Sequence, residues 1–571
     1  MGPMKRRVSP STGSLPSISE EGSMNPTYTI GDYLLDRLVE LGITELFGVP
    51  GDYNLRFLDH VLAHSRIRWV GSGNELNAGY AADGYARIRG AGALLTTYGV
   101  GELSAANALA GSYAESVPVI HIVGAPRKEI QAAHQKLHHS LGTGDFQHFL
   151  RMANEISCAT ANLEAPSATW EIDHVLRTAI FEKKPGFLLL AADVAATPTE
   201  PPTAPLKLIT QASTTAAENA FDKAARAFLT DKKTAVLADI AVQRLGATEA
   251  LNNLLAATGL PVATLSWGKT LVDESAPNFA GIYVGSASEE PVRSTIEDAQ
   301  ALITIGVDFT DNTTAGFSGN IDTSRQLEIR RSISRIGQEL FTPLSMERAI
   351  GILTNVLTDI QPQGMPLERP SESITAEPTD DPLTQDTLWT LVANSLTEGN
   401  IVLADQGTSF FGMSGMRLPQ GVTFIGQPMW GSIGYTLPAM LGAGLANRNR
   451  RPVLLIGDGA AQLTIQELGQ IIREHVPAVI VLVNNNGYTV ERMIHGKTAA
   501  YNDIPAWRWT HALQFFGADP KHSMTITART GIQMQQALEK AAANPNSLVL
   551  IEAITDTQDA PQLLHKIAAA L

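Results

Sequence analysis

The stretch at residues 452–496 constrains the fold of this chain more than any other part of it. It holds two short apolar runs, PVLLIG at 452–457 and AVIVLVNN at 478–485, and each suits a strand buried on both faces of a parallel sheet. Between the runs, Thr464 and Glu467 have the spacing of a helix capping box, and apolar residues follow at helical intervals. The stretch therefore predicts a βαβ unit with two parallel strands.

Polar residues stand where both predicted strands end. Asp458 directly follows the first run and Asn485 ends the second. Because parallel strands place their carboxyl ends at one edge of a sheet, where open α/β sheets bind ligands, we expect these side chains to be neighbours. Their oxygens and the Gly487 carbonyl would suit Mg²⁺, and Gly457 and Gly459 would let the backbone approach a phosphate. A tight βα turn capped by an aspartate explains the same pattern, and both interpretations stay open at this point.

Composition excludes several functional classes. The chain has 571 residues, a net charge of −15 and a pI of about 5.4, which argues against binding to nucleic acids or to an anionic membrane surface. No apolar run is long enough to span a bilayer. The single cysteine, Cys158, excludes an internal disulfide framework and fits the reducing cytoplasm, where we expect this protein to reside.

Strand-like runs alternate with helical patterns along the chain, which predicts an α/β protein. Two Pro-rich stretches at 196–215 and 361–383 are predicted to be linkers. They separate three doubly wound open-sheet domains, which we place at 25–195, 216–360 and 384–571. The Ser/Pro-rich residues 1–24 lack a hydrophobic signal region and are predicted to be a disordered leader or an added segment.

Several nucleotide and hydrolase motifs begin in this sequence but are incomplete. The GKT at 268–270 lacks the first glycine of a phosphate-binding loop, because Ala263 occupies that position. The GDG at 457–459 starts like a dinucleotide-binding fingerprint, which fails at Gln462. No Gly-x-Ser-x-Gly nucleophile elbow is present. These failures weaken the nucleotide hydrolase, NAD enzyme and serine hydrolase interpretations.

Six stretches carry a resemblance that spans the chain from about Met24. They are FGVPGDYNL (47–55), GNELNAGYAADGYAR (73–87), HHSLGTGDF (138–146), ADQGTSFFG (404–412), PMWGSIGYTLPA (428–439) and NNNGYTVERMIHG (484–496). With the GDG and NN pair described above, they resemble the thiamin diphosphate-dependent 2-keto acid decarboxylases, especially the indolepyruvate, phenylpyruvate and branched-chain types. The resemblance implies a pyrimidine-binding, a central and a diphosphate-binding domain, in that order.

The resemblance also implies thiamin diphosphate and Mg²⁺ as cofactors. Asp458, Asn485 and the Gly487 carbonyl match the metal ligands of the family, and Gly457 and Gly459 belong to its diphosphate-binding motif. At these positions the resemblance favours the metal–phosphate interpretation over a simple helix cap.

Three more positions match residues that hold the organic part of the cofactor. Glu75 matches the acid that hydrogen-bonds the aminopyrimidine ring, although a carboxylate at a helix N-terminus is also explained by the helix dipole. Ile433 matches the large apolar residue that supports the bent cofactor, and an ordinary core isoleucine is the alternative. The Gly431 carbonyl is expected to accept a hydrogen bond from the 4′-amino group.

Four side chains match the acid–base groups of the family: Asp52, His138, His139 and Glu491. Singly, each is explained as a turn aspartate, a loop histidine or a helix-start glutamate. The resemblance implies non-oxidative decarboxylation of a 2-keto acid to an aldehyde and CO₂ through a ylid and an enamine on the cofactor. The four groups would then supply the proton transfers.

The substrate pocket is predicted to be lined by Gln406, Phe410, Phe411, Val490 and Ile494. Phe410 stands where many pyruvate decarboxylases carry tryptophan. We therefore expect aromatic or branched substrates such as indolepyruvate, phenylpyruvate or ketoisovalerate. Pyruvate itself remains an alternative substrate.

Two other functional interpretations share part of this sequence pattern. A ligating relative such as acetolactate synthase would keep the same cofactor motifs, and a catalytically inactive regulator would be expected to have lost Glu75 or Asp458. The resemblance implies a homotetramer, a dimer of dimers, with each cofactor site between two subunits. A small 2-keto acid is the expected partner, and neither nucleic acid nor membrane is.

Overall fold

The computed structural model describes residues 27–367 and 377–570, which form three sheets in chain order. The predicted leader at 1–24 and residues 368–376 of the predicted second linker lie outside the described residues. All three sheets are open and mainly parallel, which confirms the predicted fold class. Within the described ranges, no helix combines the length and the apolarity needed to cross a bilayer.

The first domain contains a six-stranded parallel sheet. Its strands are β1 (Glu45–Gly48), β2 (Arg68–Gly71), β3 (Gly92–Thr97), β4 (Val119–Ala125), β5 (Ala159–Asn162) and β6 (Gly186–Ala191). Its helices are α1 (Ile30–Glu40), α2 (Leu55–Ala63), α3 (Glu75–Arg89), α4 (Val100–Ala114), α5 (Lys128–Ala132), α6 (His148–Ala153), α7 (Ala168–Glu182) and α8 (Ala192–Ala195). The strand order is β2-β1-β3-β4-β6-β5. Strands β3, β4 and β6 are buried at every residue, which explains their continuous apolar sequences.

The central domain contains a seven-stranded sheet with an antiparallel edge. Its strands are β7 (Thr234–Ala238), β8 (Val262–Thr264), β9 (Phe279–Ile282), β10 (Ala301–Ile305), β11 (Gln326–Ile329), β12 (Ser334–Ile336) and β13 (Glu339–Phe341). Its helices are α9 (Thr215–Leu229), α10 (Ala241–Arg244), α11 (Thr248–Thr258), α12 (Glu290–Glu297) and α13 (Met346–Ile360). The order is β13-β12-β11-β10-β7-β8-β9. Both pairings of β12 are antiparallel, because the chain reverses between β11 and β12 and again between β12 and β13.

The third domain repeats the topology of the first. Its strands are β14 (Ile401–Ala404), β15 (Thr423–Ile425), β16 (Pro452–Gly457), β17 (Val479–Asn484), β18 (Ser523–Ala528) and β19 (Leu548–Ile554). Its helices are α14 (Gln385–Ser395), α15 (Thr408–Ser414), α16 (Thr436–Ala446), α17 (Asp458–Thr464), α18 (Leu468–Arg473), α19 (Thr489–Ile494), α20 (Ala512–Phe515), α21 (Gly531–Ala543) and α22 (Gln562–Ala570). The order β15-β14-β16-β17-β19-β18 matches that of the first sheet strand for strand. The parallel pairing of β16 with β17 confirms the predicted βαβ unit.

The capping box predicted at Thr464 and Glu467 is wrong. Thr464 ends α17, and its hydroxyl donates to the Gly434 carbonyl at 2.7 Å. Glu467 lies in a 3₁₀ turn, and its carboxylate accepts hydrogen bonds from the Gly73 amide and the Asn77 side chain at 3.1 and 2.9 Å. Partners distant in the sequence therefore occupy both side chains that the local pattern assigns to a cap.

Helix α3 of the first domain packs directly on α16 of the third. A β-carbon at Gly442 would lie 1.8 Å from the Ala81 carbonyl oxygen, and one at Gly84 would lie 2.1 Å from the Ala439 carbonyl oxygen. Real β-carbons do not approach backbone oxygens this closely, so both glycines are required for the contact. The two helices hold the first and third sheets in a fixed relation.

The substitution Gly442→Ala is expected to lower the thermal stability of the protein markedly. Overpacking of a rigid contact costs about 1–3 kcal/mol and sometimes more. Gly351 offers a matched control, because it lies inside α13 with no atom near its missing side chain. There alanine should be neutral or stabilising by up to about 1 kcal/mol through helix propensity. Equal unfolding temperatures for the two variants would contradict this interpretation of the α3–α16 contact.

Candidate active site

Each of the two outer sheets has a crevice at its carboxyl edge. In the first sheet the order reverses between β1 and β3, and in the third it reverses between β14 and β16. Such switch points are where open α/β sheets bind ligands. Asp52 follows β1, and Gln406 and Asp458 follow β14 and β16. The topology therefore places candidate residues at both crevices.

A cavity of about 380 Å³ occupies the crevice of the third sheet. Its lining includes all the predicted cofactor positions of this domain: Gly431, Ile433, Gly457, Asp458, Gly459, Asn485 and Gly487. The volume falls in the range of ordinary small-molecule sites. The loops after β14, β16 and β17 thus meet around one space, as parallel strand ends must.

The side-chain amide of Asn485 is oriented by its neighbours. Its Nδ2 donates to the Thr489 hydroxyl at 2.9 Å, and that hydroxyl donates its one proton to the Thr557 carbonyl at 3.0 Å. The amide oxygen then faces Asp458 Oδ1 at 3.2 Å and the Gly487 carbonyl oxygen at 3.0 Å. Turning the amide would satisfy these two acceptors but would take the Thr489 proton from Thr557. Three oxygens converge with no hydrogen between them, which is the arrangement that a bound cation needs.

Asp458 is held in place by backbone groups and is almost fully buried. It is 2% exposed, and its Oδ1 accepts the Gly459 amide at 2.8 Å. Burial raises the pKa of Asp458 to about 6, although several backbone amides favour its ionised form. The charge of Arg492 only partly offsets this burial, so a cation beside the carboxylate would be strongly favoured.

A second buried carboxylate fixes the turn that carries Gly431 and Ile433. The Oδ1 of Asp405 accepts the Gly434 amide at 3.0 Å, and its Oδ2 accepts the Thr436 amide at 3.1 Å. Burial raises the pKa of Asp405 to about 6. Asp405 was not among the predicted site residues, although its position directly after β14 was the available signal.

The cavity wall is built from more distant parts of the chain than the sequence indicates. Gln406, Phe411, Val490 and Ile494 line it as predicted, and so does Glu491. Asp311 and Asn312 of the central domain and Leu564 and Ile567 of α22 also line it. These four were missed because no local pattern reveals which distant segment will cover a crevice.

Phe410 does not line the cavity. It is 1% exposed and packs against Phe424, with a ring-centroid distance of 6.0 Å, and its ring lies against Gly426. The neighbouring ring of Phe411 faces the cavity instead. Since adjacent residues of the short helix α15 point in different directions, only one of the two aromatic rings can reach this space.

Three of the predicted acid–base residues form a second group, on the first domain. His138 Nε2 lies 2.5 Å from Asp52 Oδ2, and the rings of His138 and His139 have centroids 4.6 Å apart. Tyr53 stacks on His138 at 5.2 Å. Partial burial opposes ionisation of Asp52, but the hydrogen bond with His138 prevails and lowers the pKa of this carboxyl.

The backbone of His139 is fixed by its contact with Gly99. His139 has φ +62°, and its carbonyl oxygen would lie 1.8 Å from a β-carbon at Gly99. The Gly99 amide donates to Glu102 Oε1 at 2.7 Å. Glu102 therefore supports His139 through Gly99. Its position as the third residue of α4, three residues after Gly99, was the sequence signal for this role.

Glu102 is expected to make the protein less stable as the pH rises. Burial raises its pKa in the folded chain to about 8, whereas the unfolded chain ionises near the ordinary value of 4.5. Because the unfolded state loses this proton first, unfolding becomes more favourable as the pH rises through that interval. Glu102→Gln removes the proton and keeps the acceptor oxygen.

We therefore expect the thermal stability gained by Glu102→Gln over the native protein to grow as the buffer is changed from about pH 5 to about pH 8. Glu539→Gln, at an exposed position of α21, is the matched control and should show no such growth. A gain from Glu102→Gln that is independent of pH would contradict the assigned proton.

Glu75 opens α3 beside the first crevice. The Asn74 side chain caps this helix by accepting the Asn77 amide at 2.8 Å, and a β-carbon at Gly101 would lie 3.2 Å from Glu75 Oε1. Glu467 of the third domain is fully buried, holds Asn77 from the other side, and has its pKa raised by that burial. Its contact spans two domains, so the local pattern could not reveal it.

Within one chain, the candidate residues thus fall into two groups. Glu491 and the oxygen site of Asp458 line the cavity of the third domain, whereas Glu75, Asp52, His138 and His139 do not line it. Each group contains only part of the chemistry that the sequence predicts for a single site.

Comparison with known proteins covers nearly the whole chain. Three family models match: "Thiamine pyrophosphate enzyme, N-terminal TPP binding domain" at 28–149, its central domain at 221–344, and its C-terminal TPP binding domain at 406–553. An alpha-keto-acid decarboxylase of Mycolicibacterium paratuberculosis is 54% identical over 546 residues, 95% of this chain and 97% of the relative. A protein of the same description from Mycobacterium leprae is 55% identical over 540 residues, 94% of each chain.

A solved structure shares the fold. It is the Rhodococcus jostii thiamine diphosphate-dependent 4-hydroxybenzoylformate decarboxylase, with a TM-score of 0.75 and 21% sequence identity. The match covers 93% of this chain and 99% of the other. At this identity the likeness concerns the three-domain fold.

Proposed function

This chain belongs to the thiamine pyrophosphate enzyme family as an alpha-keto-acid decarboxylase, and we propose that it converts 2-keto acids with aromatic or branched side chains into aldehydes and CO₂. The cavity supports this substrate class, because Phe411, Val490 and Ile494 form an apolar wall that Leu564 and Ile567 extend. Such a wall suits a side chain larger than the methyl group of pyruvate.

The substrate class is tested by CO₂-release rates on a panel of 2-keto acids with Mg²⁺ and thiamin diphosphate added. We expect indolepyruvate, phenylpyruvate and ketoisovalerate to exceed pyruvate in kcat/KM, with overlapping ranges since one methylene in an apolar pocket is worth only about 1–3 kcal/mol. Fastest turnover on pyruvate would overturn the proposed class. Acetolactate rather than acetaldehyde as the product from pyruvate would support the ligating alternative.

We propose that Asp458, Asn485 and the Gly487 carbonyl hold Mg²⁺. Asp458 Oδ1 and the Gly487 carbonyl oxygen lie 3.2 and 3.0 Å from the Asn485 amide oxygen. Neighbouring ligands of an octahedral Mg²⁺, each about 2.1 Å from the metal, are also about 3 Å apart. The metal would take further oxygens from the diphosphate. Gly457 and Gly459 lie in the same cavity wall and leave room for these groups.

The hydroxyl of Thr489 is predicted to orient the metal ligand. Thr489→Val keeps the shape but releases the Asn485 amide, so we expect the Mg²⁺ concentration for half-maximal activity to rise by about 10- to 100-fold, as for other residues that orient a metal ligand. Thr525→Val on β18 is the control and should leave it unchanged. An unchanged Mg²⁺ requirement for Thr489→Val would contradict the proposed orientation.

Bound thiamin diphosphate supplies a nucleophilic carbon and accepts the electrons released with CO₂. We propose that Glu75 would hydrogen-bond the aminopyrimidine ring nitrogen of the cofactor and share its proton with it. The Gly431 carbonyl would accept a hydrogen bond from the 4′-amino group, and Ile433 would support the cofactor in its bent conformation. Side chains of this chain then complete the reaction by proton transfer.

The proton transfers are proposed for the four remaining polar side chains. Asp52 and His138 already share a hydrogen bond, and His139 lies beside them. Glu491 lines the cavity of the third domain. One of them delivers the proton that replaces CO₂ on the former keto carbon. Another removes the hydroxyl proton as the aldehyde leaves.

We propose that a second copy of the chain completes each site. The group around Glu75 and the cavity of Asp458 are separate in one chain, and large apolar side chains are exposed close to both. Val100 is 54% exposed, Met429 50% and Leu463 50%. Exposed apolar surface of this kind is typical of interfaces. The resemblance to the family extends this dimer to a homotetramer.

A cytoplasmic location is also proposed. Cys158, the only cysteine, is a free thiol, and burial raises its pKa to about 11. A chain without disulfides suits a reducing compartment.

A further inference from the structure

Asp52, His138 and His139 offer donor atoms that suit a transition-metal ion. One ligand atom from each side chain lies within 4.8 Å of the other two. Two imidazoles and one carboxylate, with water in the fourth position, make up a common Zn²⁺ donor set. Zn²⁺ needs these atoms about 2.0–2.2 Å from itself, so small side-chain rotations would close the site.

The surroundings restrict the motion of the two imidazoles. The Tyr53 ring stacks on His138 at an interplanar angle of 22° and meets His139 edge-on at 5.9 Å. The backbone of His139 is fixed against Gly99. The Nδ1 of His139 is buried and makes no hydrogen bond with the described residues, so no partner competes for it. Rigid donors lose little freedom when they bind a metal.

We propose that this cluster is a second metal site, separate from the oxygen site at Asp458, and that Zn²⁺ bound there inhibits the enzyme. Imidazole nitrogen suits Zn²⁺, whereas Mg²⁺ prefers oxygen ligands. Zn²⁺ would therefore bind at the histidine cluster and Mg²⁺ at the Asp458 site. The inhibition rests on the proposed function, because bound Zn²⁺ would occupy the lone pairs of Asp52, His138 and His139 that are proposed to accept and deliver protons in the reaction. The binding itself does not rest on it.

The test uses Co²⁺ as a visible probe of the holoenzyme with saturating Mg²⁺ and thiamin diphosphate. We expect one additional Co²⁺ per chain, with the intense visible bands of low coordination number, displaced by Zn²⁺. His138→Asn and His139→Asn should each weaken binding by at least about 10-fold. His60→Asn is the matched control, since His60 pairs with Asp32 at 2.9 Å but belongs to no group of three close ligand atoms among the described residues. Cys158→Ser should also keep the bands.

Two results would overturn the site: no Co²⁺ bands with the folded holoenzyme, or bands that survive both histidine substitutions. If either histidine variant fails to fold, Asp52→Asn, which keeps the side-chain shape, replaces it and should also weaken binding. Zn²⁺ inhibition that added Mg²⁺ relieves would equally contradict the proposal. Co²⁺ binding by a protein that releases no CO₂ from any 2-keto acid would overturn the proposed function and leave the metal site standing.

Discussion

Glu75→Gln is expected to lower kcat by roughly 10²- to 10⁴-fold, the usual contribution of a positioned acid–base group. The amide keeps the shape and the hydrogen-bonding reach of the carboxyl but cannot exchange the proton. Helix α3 is capped by Asn74 and held through Asn77 by Glu467, so the fold should be unaffected. CO₂ release measures the activity, and circular dichroism and thermal unfolding check the fold.

The competing explanation for Glu75 is helix-dipole stabilisation alone. Glu249→Gln is the matched control, because Glu249 is an exposed acid in the first turn of α11. Such a charge contributes about 0.3–1 kcal/mol to stability and should not change kcat. If Glu75→Gln changed only the unfolding temperature, by the same amount as the control, the catalytic role would be refuted.

Asp458→Asn is expected to weaken Mg²⁺-dependent binding of thiamin diphosphate by at least about 100-fold, because loss of a direct ligand should exceed the 10- to 100-fold cost of losing an orienting neighbour. The substitution removes the one carboxylate among the three converging oxygens. Binding can be followed by the quenching of tryptophan fluorescence as cofactor is added with Mg²⁺.

Asp519→Asn is the control for this experiment, since Asp519 is an exposed turn residue of the same domain. It should bind cofactor as the native protein does. Because Asp458 is buried and has a raised pKa, its neutral variant is also expected to fold at least as stably. Cofactor affinity equal to that of the control would rule out Asp458 as a metal ligand.

The sequence predicts best those features that depend on strand ends. The apolar runs at 452–457 and 478–485 are buried parallel strands, and their ends bring Asp458 and Asn485 together as expected. The position of a residue at the carboxyl edge of a sheet follows from the direction of its strand alone. A single sequence reveals that direction through its apolar runs and the turns between them. The same reasoning locates Asp52 after β1.

Features that depend on tertiary partners could not be predicted. Thr464 and Glu467 have a capping pattern, yet both side chains bind residues far away in the sequence. Phe410 and Phe411 are adjacent and equally apolar, so only the packing of α15 decides which one faces the cavity. The contribution of α22 depends on where a distant helix docks, and no local signal encodes it.

We propose that the Glu75 group of one chain completes the Asp458 cavity of another. The direct test is to co-express the Glu75→Gln and Asp458→Asn chains, purify the assembled protein and measure its activity. In a mixed two-fold dimer, one site would carry both substitutions and the other neither, so a random mixture should recover about a quarter of native activity. Each variant alone should be nearly inactive. No recovery in demonstrably mixed dimers would show that the two groups act within one chain and would contradict the shared site.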